Sequence, residues 1–242
     1  MIGSSYSDNI QSINKLSIAN YGSYHVLRME ENVSMKLPIL SRLEQLEEEA
    51  FFLEDEKIFK KKRFIGGDCS YEEVHNLVLK QCLLEKIVMQ KSRLERFEAS
   101  NVIFDRCDFS NLEWIGGSFH QVEFRQCKLI GTNFADSFLR DCKFVDCIAN
   151  LSSFSSTNLK FVNFERCKLN DGDFFNVKWK NLNLIDSELN RSNWMKTQMK
   201  DLNLSKSYFD QIALTIEDIP GMKVNTGQAL VISTGLGLKI ID

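Results

Sequence analysis

The chain has 242 residues, 30 lysines and arginines against 33 aspartates and glutamates, and a formal net charge of −3 with 43% hydrophobic content. That suits one sizeable domain with tails or at most two small ones. So near-neutral a balance favours neither a general nucleic-acid binder nor a strongly acidic surface. No stretch reaches the ~18 apolar residues that span a bilayer, and the N-terminus lacks a charged-then-apolar leader. The expectation is a soluble cytoplasmic protein without a membrane, whose seven cysteines stay reduced.

Residues 1–34 are polar, rich in serine and asparagine and without periodicity, and read as a flexible extension with Met35 as an alternative start. Residues 35–63 read as an N-terminal helix and cap. Ser41–Glu44 is a capping-box pattern, and Leu43, Leu46, Ala50 and Leu53 form a helical stripe, predicting a helix over about 41–53. The basic run Lys60–Arg63 reads as a solvated turn.

From 64 to 214 a period of five never slips. Every fifth residue is apolar, through Phe64, Leu84, Phe104, Trp114, Phe124, Phe134, Phe144, Phe154, Phe164, Phe174, Trp194 and on to Leu214. A helix needs a period of 3.6 and a simple strand a period of two, so neither explains the series. Two residues before each large side chain stands a mostly small one, such as Cys107, Val122, Thr132, Ser137, Cys147 and Thr157. The other three positions are largely polar. Each five residues then form one side of a square coil, four sides make a turn of 20, and turns stack at ~4.8 Å into a rod of roughly 36 Å. A step of 20 builds core ladders: Phe104, Phe124, Phe144 and Phe164 on one side, Trp114, Phe134, Phe154 and Phe174 on another.

Residues 215–242 read as a C-terminal helix and strand. Pro220–Gly221 is a turn, Asn225 or Thr226 caps a helix to about Thr234, and Gly235 stops it. Leu230, Val231, Leu236, Leu238, Ile240 and Ile241 are too apolar for a free tail and predict a twofold dimer interface. The alternative is that the segment folds back as a cap.

Chemistry is sparse. His25, His75 and His120 have no partner at zinc-type spacing, no nucleophile, phosphate-loop or metalloprotease motif occurs, and no cofactor, metal or catalytic set is expected. Cys107, Cys127, Cys147 and Cys167 are 20 apart and form a ladder of buried small residues. At the same step Lys80, Ser100, His120, Arg140, Lys160, Lys180 and Lys200 form a largely basic column, beside Lys178, Asp141 and Asp201. The column reads either as a solvated, ion-paired face or as contact with an acidic partner surface or a nucleic-acid backbone. Asp105, Asp108, Glu113 and Asp136 are the acidic partner-surface candidates beside Arg140, Lys160, Lys180 and Lys200.

"CDFSN" (107–111), "TNFAD" (132–136) and "LNLSK" (202–206) resemble the A(D/N)LXX unit of pentapeptide-repeat proteins. The resemblance implies an all-β, right-handed quadrilateral parallel β-helix flanked by short N- and C-terminal helices. Phe104–Cys127, Gly131–Cys142, Asn190–Ser205 and Gln228–Ile241 further resemble the Qnr-type quinolone-resistance family, its Gram-positive branch above all. That resemblance implies a dimer joined by C-terminal segments, and binding to DNA gyrase or topoisomerase IV through a shape and charge like duplex DNA, without sequence-specific DNA binding. The near-neutral coil and the basic column depart from simple acidic mimicry. The unbroken period also leaves no room for the projecting loops of Gram-negative relatives. An interaction scaffold for another protein is the second expectation, and an enzyme or ligand-binding β-helix the third.

Overall fold

The computed structural model describes residues 34–39 and 46–241, all within the unit Ser34–Asp242. The expected extension therefore lies outside the described residues, apart from Ser34. The architecture is a four-sided parallel β-helix of about eight turns followed by one helix. Its largest sheet is parallel, with six eight-residue strands, Val78–Glu85, Glu98–Asp105, Ser118–Arg125, Phe138–Val145, Asn158–Glu165 and Lys178–Ile185, stacked in order. The register is uniformly 20: Phe104 pairs Phe124, which pairs Phe144, which pairs Phe164. Isolated bridges at the same step, such as Asp108 to Lys128 and Asn133 to Ser153, carry the stacking around the other sides.

The square section comes from a backbone corner at every fifth residue. From Glu56 to Asp201 each position two after the large side chain has φ between 51 and 69°. Only three of these corners are glycine, at 66, 116 and 131; asparagine and aspartate take many, and Leu151 and Phe161 are bulky exceptions. A left-handed non-glycine residue costs about 1–2 kcal/mol, so the corners persist only because the ladder between turns over-determines them. At nearly every corner the backbone N–H reaches the next turn, as Asp146 N–H does to the Glu165 carbonyl at 3.0 Å.

Inside, the large residues stack face to face along each side. Phe124 and Phe144 have ring centroids 4.6 Å apart and 2° from parallel, and Phe144 and Phe164 are also 4.6 Å apart. Rings from neighbouring sides meet edge-on, as Phe134 and Phe144 do at 89°. The expected core ladder from Phe104 to Phe174 is fully buried throughout. The small position has its own reason to be polar. Many of its thiols and hydroxyls donate to the carbonyl of the large residue 23 positions earlier, Thr132 to Phe109 at 2.7 Å, Ser137 to Trp114 at 2.8 Å and Cys127 to Phe104 at 3.4 Å, while Ser152, Thr157 and Ser192 donate three positions back.

Both ends depart from expectation. No helix occupies 46–53; Glu47–Glu48 is instead a short strand paired with Lys62–Arg63, and residues 40–45 lie outside the described residues. An open first turn exposes unpaired backbone groups, so an edge strand satisfies more of them than a helix lying across it. The apolar plug is Phe51, its ring 5.0 Å from that of Phe64. The stack already starts where Ile58–Lys60 pairs Val78–Lys80, and it runs on to the bridge between Asn203 and Lys223. Ile219 and Val224 keep the period of five and pack against the core, and Gly221 repeats the corner conformation at φ 85°.

Truncating the middle of the aromatic stack should cost far more than truncating its outer face. Phe144→Ala should lose about 3–5 kcal/mol of unfolding free energy, and Phe138→Ala, exposed at 61%, should stay within about 0.5 kcal/mol. Denaturant unfolding of both variants measures the contrast.

Candidate interaction surfaces

The basic column is real and lies in register. Lys80 pairs Ser100, Ser100 pairs His120, His120 pairs Arg140, Arg140 pairs Lys160 and Lys160 pairs Lys180. Arg140 reaches Asp141 at 3.5 Å and His120 reaches the same carboxylate at 3.8 Å. Among the described residues no carboxylate lies within 4.0 Å of Lys80, Lys160, Lys180 or Lys200. Stacked cations ~4.8 Å apart repel, and the column carries uncompensated positive charge among the described residues. A shallow groove of about 370 Å³ runs along it past exposed Phe138, between His120, Arg140 and Lys160.

The acidic candidates are dispersed. Asp105 is paired to Arg106 at 3.0 Å, and Glu113 to Arg93 at 3.7 Å on a different side. Against the upward push of burial, hydrogen bonds from Ser110 and Gln90 and the Lys128 ammonium hold Asp108 below the ordinary carboxylate range. Asp136 occupies a left-handed corner. The structure thus brings Arg140, Lys160 and Lys180 together and keeps the acidic set apart, so no continuous acidic stripe forms from these residues. Elsewhere the corners carry opposite charges one turn apart. Arg166 and Asp146, and Arg191 and Asp171, each approach to 2.6 Å, and the guanidinium holds each carboxyl below its usual range.

One cluster escaped the search for local spacing. His75 lies 3.4 Å from Asp55 and 3.3 Å from Glu95, and ligand atoms of Glu73, His75 and Glu95 fall within 4.8 Å of one another. A step of 20 joins positions 55, 75 and 95, which is the signal that could have found it. Arg93 already neutralises Glu95 at 2.9 Å, so the set is an ion-pair network in this state.

At the far end the helix Thr226–Gly235 begins at Asn225, whose side chain accepts from the Gln228 N–H at 2.9 Å. Gln228 closes the capping box at 3.0 Å and its amide donates to the Leu204 and Ser207 carbonyls at 2.8 and 2.7 Å. That buried side chain pins the helix over the last turn; sequence reading found the cap and missed the pin. Val231 and Ile232 pack on the core, whereas Leu230, Leu236, Leu238, Ile240 and Ile241 are exposed. A groove of about 580 Å³ opens between Ile212–Leu214 and the helix. No helix of the described residues is long and apolar enough to cross a membrane.

Residues 117–194, the central turns with their paired corners and buried small–large alternation, match the family model of the pentapeptide repeat region. The chain carries a pentapeptide repeat region. The uncharacterized protein YisX of Bacillus subtilis (strain 168) is 26% identical over 95 residues, which is 38% of this chain and 45% of that protein. The match therefore spans under half of that relative. Among solved structures, HetL, a pentapeptide repeat protein involved in heterocyst differentiation regulation from the cyanobacterium Nostoc sp. strain PCC 7120, aligns at 11% identity. The alignment covers 70% of this chain and 87% of HetL with a TM-score of 0.39. QnrB1, a plasmid-mediated fluoroquinolone resistance protein, aligns at 16% identity over 79% of this chain and 98% of its own, with a TM-score of 0.37.

The interior of the shaft also governs thiol chemistry. All seven cysteines are free, and Cys82, Cys107, Cys127, Cys142, Cys147 and Cys167 are buried. Burial pushes the Cys142 thiol up to about 12. A chromogenic disulfide reagent at mildly alkaline pH should therefore modify half-buried Cys69 first and the other six only on unfolding. Seven fast thiols in the folded protein would contradict that order.

Proposed function

We propose that this chain is a non-enzymatic protein-binding shaft that pairs with a second copy through its C-terminal end and engages type II topoisomerases, DNA gyrase or topoisomerase IV. In that role it modulates the enzyme or protects it from fluoroquinolones. The observation that carries the reading is the uninterrupted four-sided shaft ending in an apolar segment, Leu230, Leu236, Leu238, Ile240 and Ile241, left exposed in the single chain. Exposed apolar side chains concentrated at one end favour an interface. A twofold pairing there gives a rod of order 70–80 Å at ~4.8 Å per turn, long enough to lie along a channel built for duplex DNA. The Qnr-type motifs of the sequence support the same partner. With the acidic candidates paired and dispersed, likeness to DNA would rest on shape more than on charge.

A second reading has its own observation. The Arg140–Lys160–Lys180 ladder, with lysines that no described carboxylate neutralises, suits an acidic surface on another protein. The shaft would then be an interaction scaffold for that partner.

Purified protein titrated into gyrase supercoiling and topoisomerase IV decatenation reactions, with and without ciprofloxacin, distinguishes the two. Inhibition at high protein, or rescue of supercoiling in drug, supports the first reading. No effect from a folded dimer removes it and leaves the scaffold. Leu236→Asp/Leu238→Asp should convert the dimer to a monomer by light scattering with its unfolding midpoint unchanged. A dimer that survives this change would place the interface elsewhere.

A further inference from the structure

One side of the shaft breaks the rule that outward positions are polar and wet. Leu83 and Ile103 point away from the core, yet each is only 7% exposed, because Leu46 packs on them as a separate cluster outside the shaft. Around the adjacent corner the Asp141 side chain is 4% exposed, although corner residues such as Leu151 stand in solvent. The chain ahead of the coil supplies the contacts. Lys36 N–H donates to Asp141 Oδ1 at 3.1 Å, and Ile39 N–H donates to Asn101 Oδ1 at 3.4 Å.

These two bonds are commensurate with the shaft. Asn101 and Asp141 lie on one corner column two turns apart, about 9.6 Å at the strand spacing, and three residues of extended chain rise about 10 Å. An extended peptide can therefore present every third N–H to every second turn without strain. Gln121 lies between them on the column and Gln81 one turn below Asn101, so a side chain with an acceptor oxygen recurs at each step. The path descends in order past Asp141, Asn101 and the Leu83–Ile103 step before Glu47–Glu48 pairs with Lys62–Arg63.

We propose that this corner column, with the Leu83–Ile103 step beside it, is a binding track for an extended peptide, occupied in cis by the chain's own residues ahead of the coil. The track recognises free backbone N–H groups at every third residue and an apolar side chain that covers Leu83 and Ile103. Its present occupant is lightly held between Lys36 and Ile39. Both bonds run from backbone to side chain, and Leu37 and Ile39 are 42% and 75% exposed. A partner peptide that also buries its apolar side chains competes for the same acceptors. The segment around Lys36–Ile39 thus sets the threshold for that partner by its high effective concentration. This inference does not depend on the topoisomerase reading.

The test uses the full chain. Lys36→Pro/Ile39→Pro removes both N–H donors and leaves every residue of the shaft unchanged. A capped peptide with the sequence of Ser34–Ile39 is titrated into nitrogen-15-labelled protein. The Asn101 side-chain amide and the Asp141 backbone amide should shift in the double-proline variant at about tenfold lower peptide than in the parent, and Asp141→Ala added to the variant should abolish the response. Equal responses in parent and variant, shifts confined to other residues, or none at all would overturn the proposal. Hydrogen exchange in the unmodified chain gives a second reading: the Lys36 amide should exchange about tenfold slower than an unstructured amide, and exchange at the unstructured rate would also overturn it.

Discussion

Everything in this structure depends on a left-handed corner recurring at every fifth residue. Each corner is locally unfavourable for a side chain larger than glycine. Most also turn the backbone so that the N–H meets a carbonyl of the next turn, as at Asp146, Arg166 and Asp171. The unfavourable conformation and the ladder that offsets it are inseparable, so the fold is stable as a stack and not as a single turn. The same geometry sets the side-chain rules. One large residue per side fills the interior, a second inward residue, on many sides a hydroxyl or thiol that bonds a backbone carbonyl, packs beside it, and the rest face outward.

Function follows from what such a stack can and cannot display. Its faces are ruled surfaces, where a residue type chosen at a step of 20 becomes a line of like chemistry. Arg140, Lys160 and Lys180 make such a line, whereas Asp105, Asp108 and Glu113 fall on three different sides and find local partners. The ends are less constrained. At one, Phe51 plugs the first turn and a short strand pairs its edge; at the other, Gln228 answers two last-turn carbonyls and the helix it anchors leaves an apolar rim.

The interior was legible from sequence because a period of five over so many residues has one physical solution. Phe104 through Phe174 fell where the pattern put them, and the basic column aligned as a step of 20 requires. No helix forms over 46–53 because Leu46, Ala50 and Leu53 mimic a helical stripe while serving other ends: Leu46 covers Leu83 and Ile103, and Leu53 packs at the open turn. The C-terminal boundary was read ten residues short, since the short 3-10 turn Ile216–Asp218 and Pro220 mask Ile219 and Val224, which keep the period. Leu83, Ile103 and Phe161 were the overlooked signal. Leu83 and Ile103 stand at outward positions and are covered by Leu46, whereas Phe138 and Leu151 at outward positions stay exposed.

Because each side of the square is one pentapeptide, the core and the surface respond differently to changes in length. Inserting or deleting five residues keeps a large side chain facing inward on every side, re-pairs the ladders only at the join, and rotates all that follows by a quarter turn about the axis. The basic line of one half would then continue the acidic or neutral face of the other. Twenty residues restore the phase and change only the length. The fold therefore lets the shaft lengthen in steps of twenty residues without changing which way its segments face, while any smaller step of five changes both.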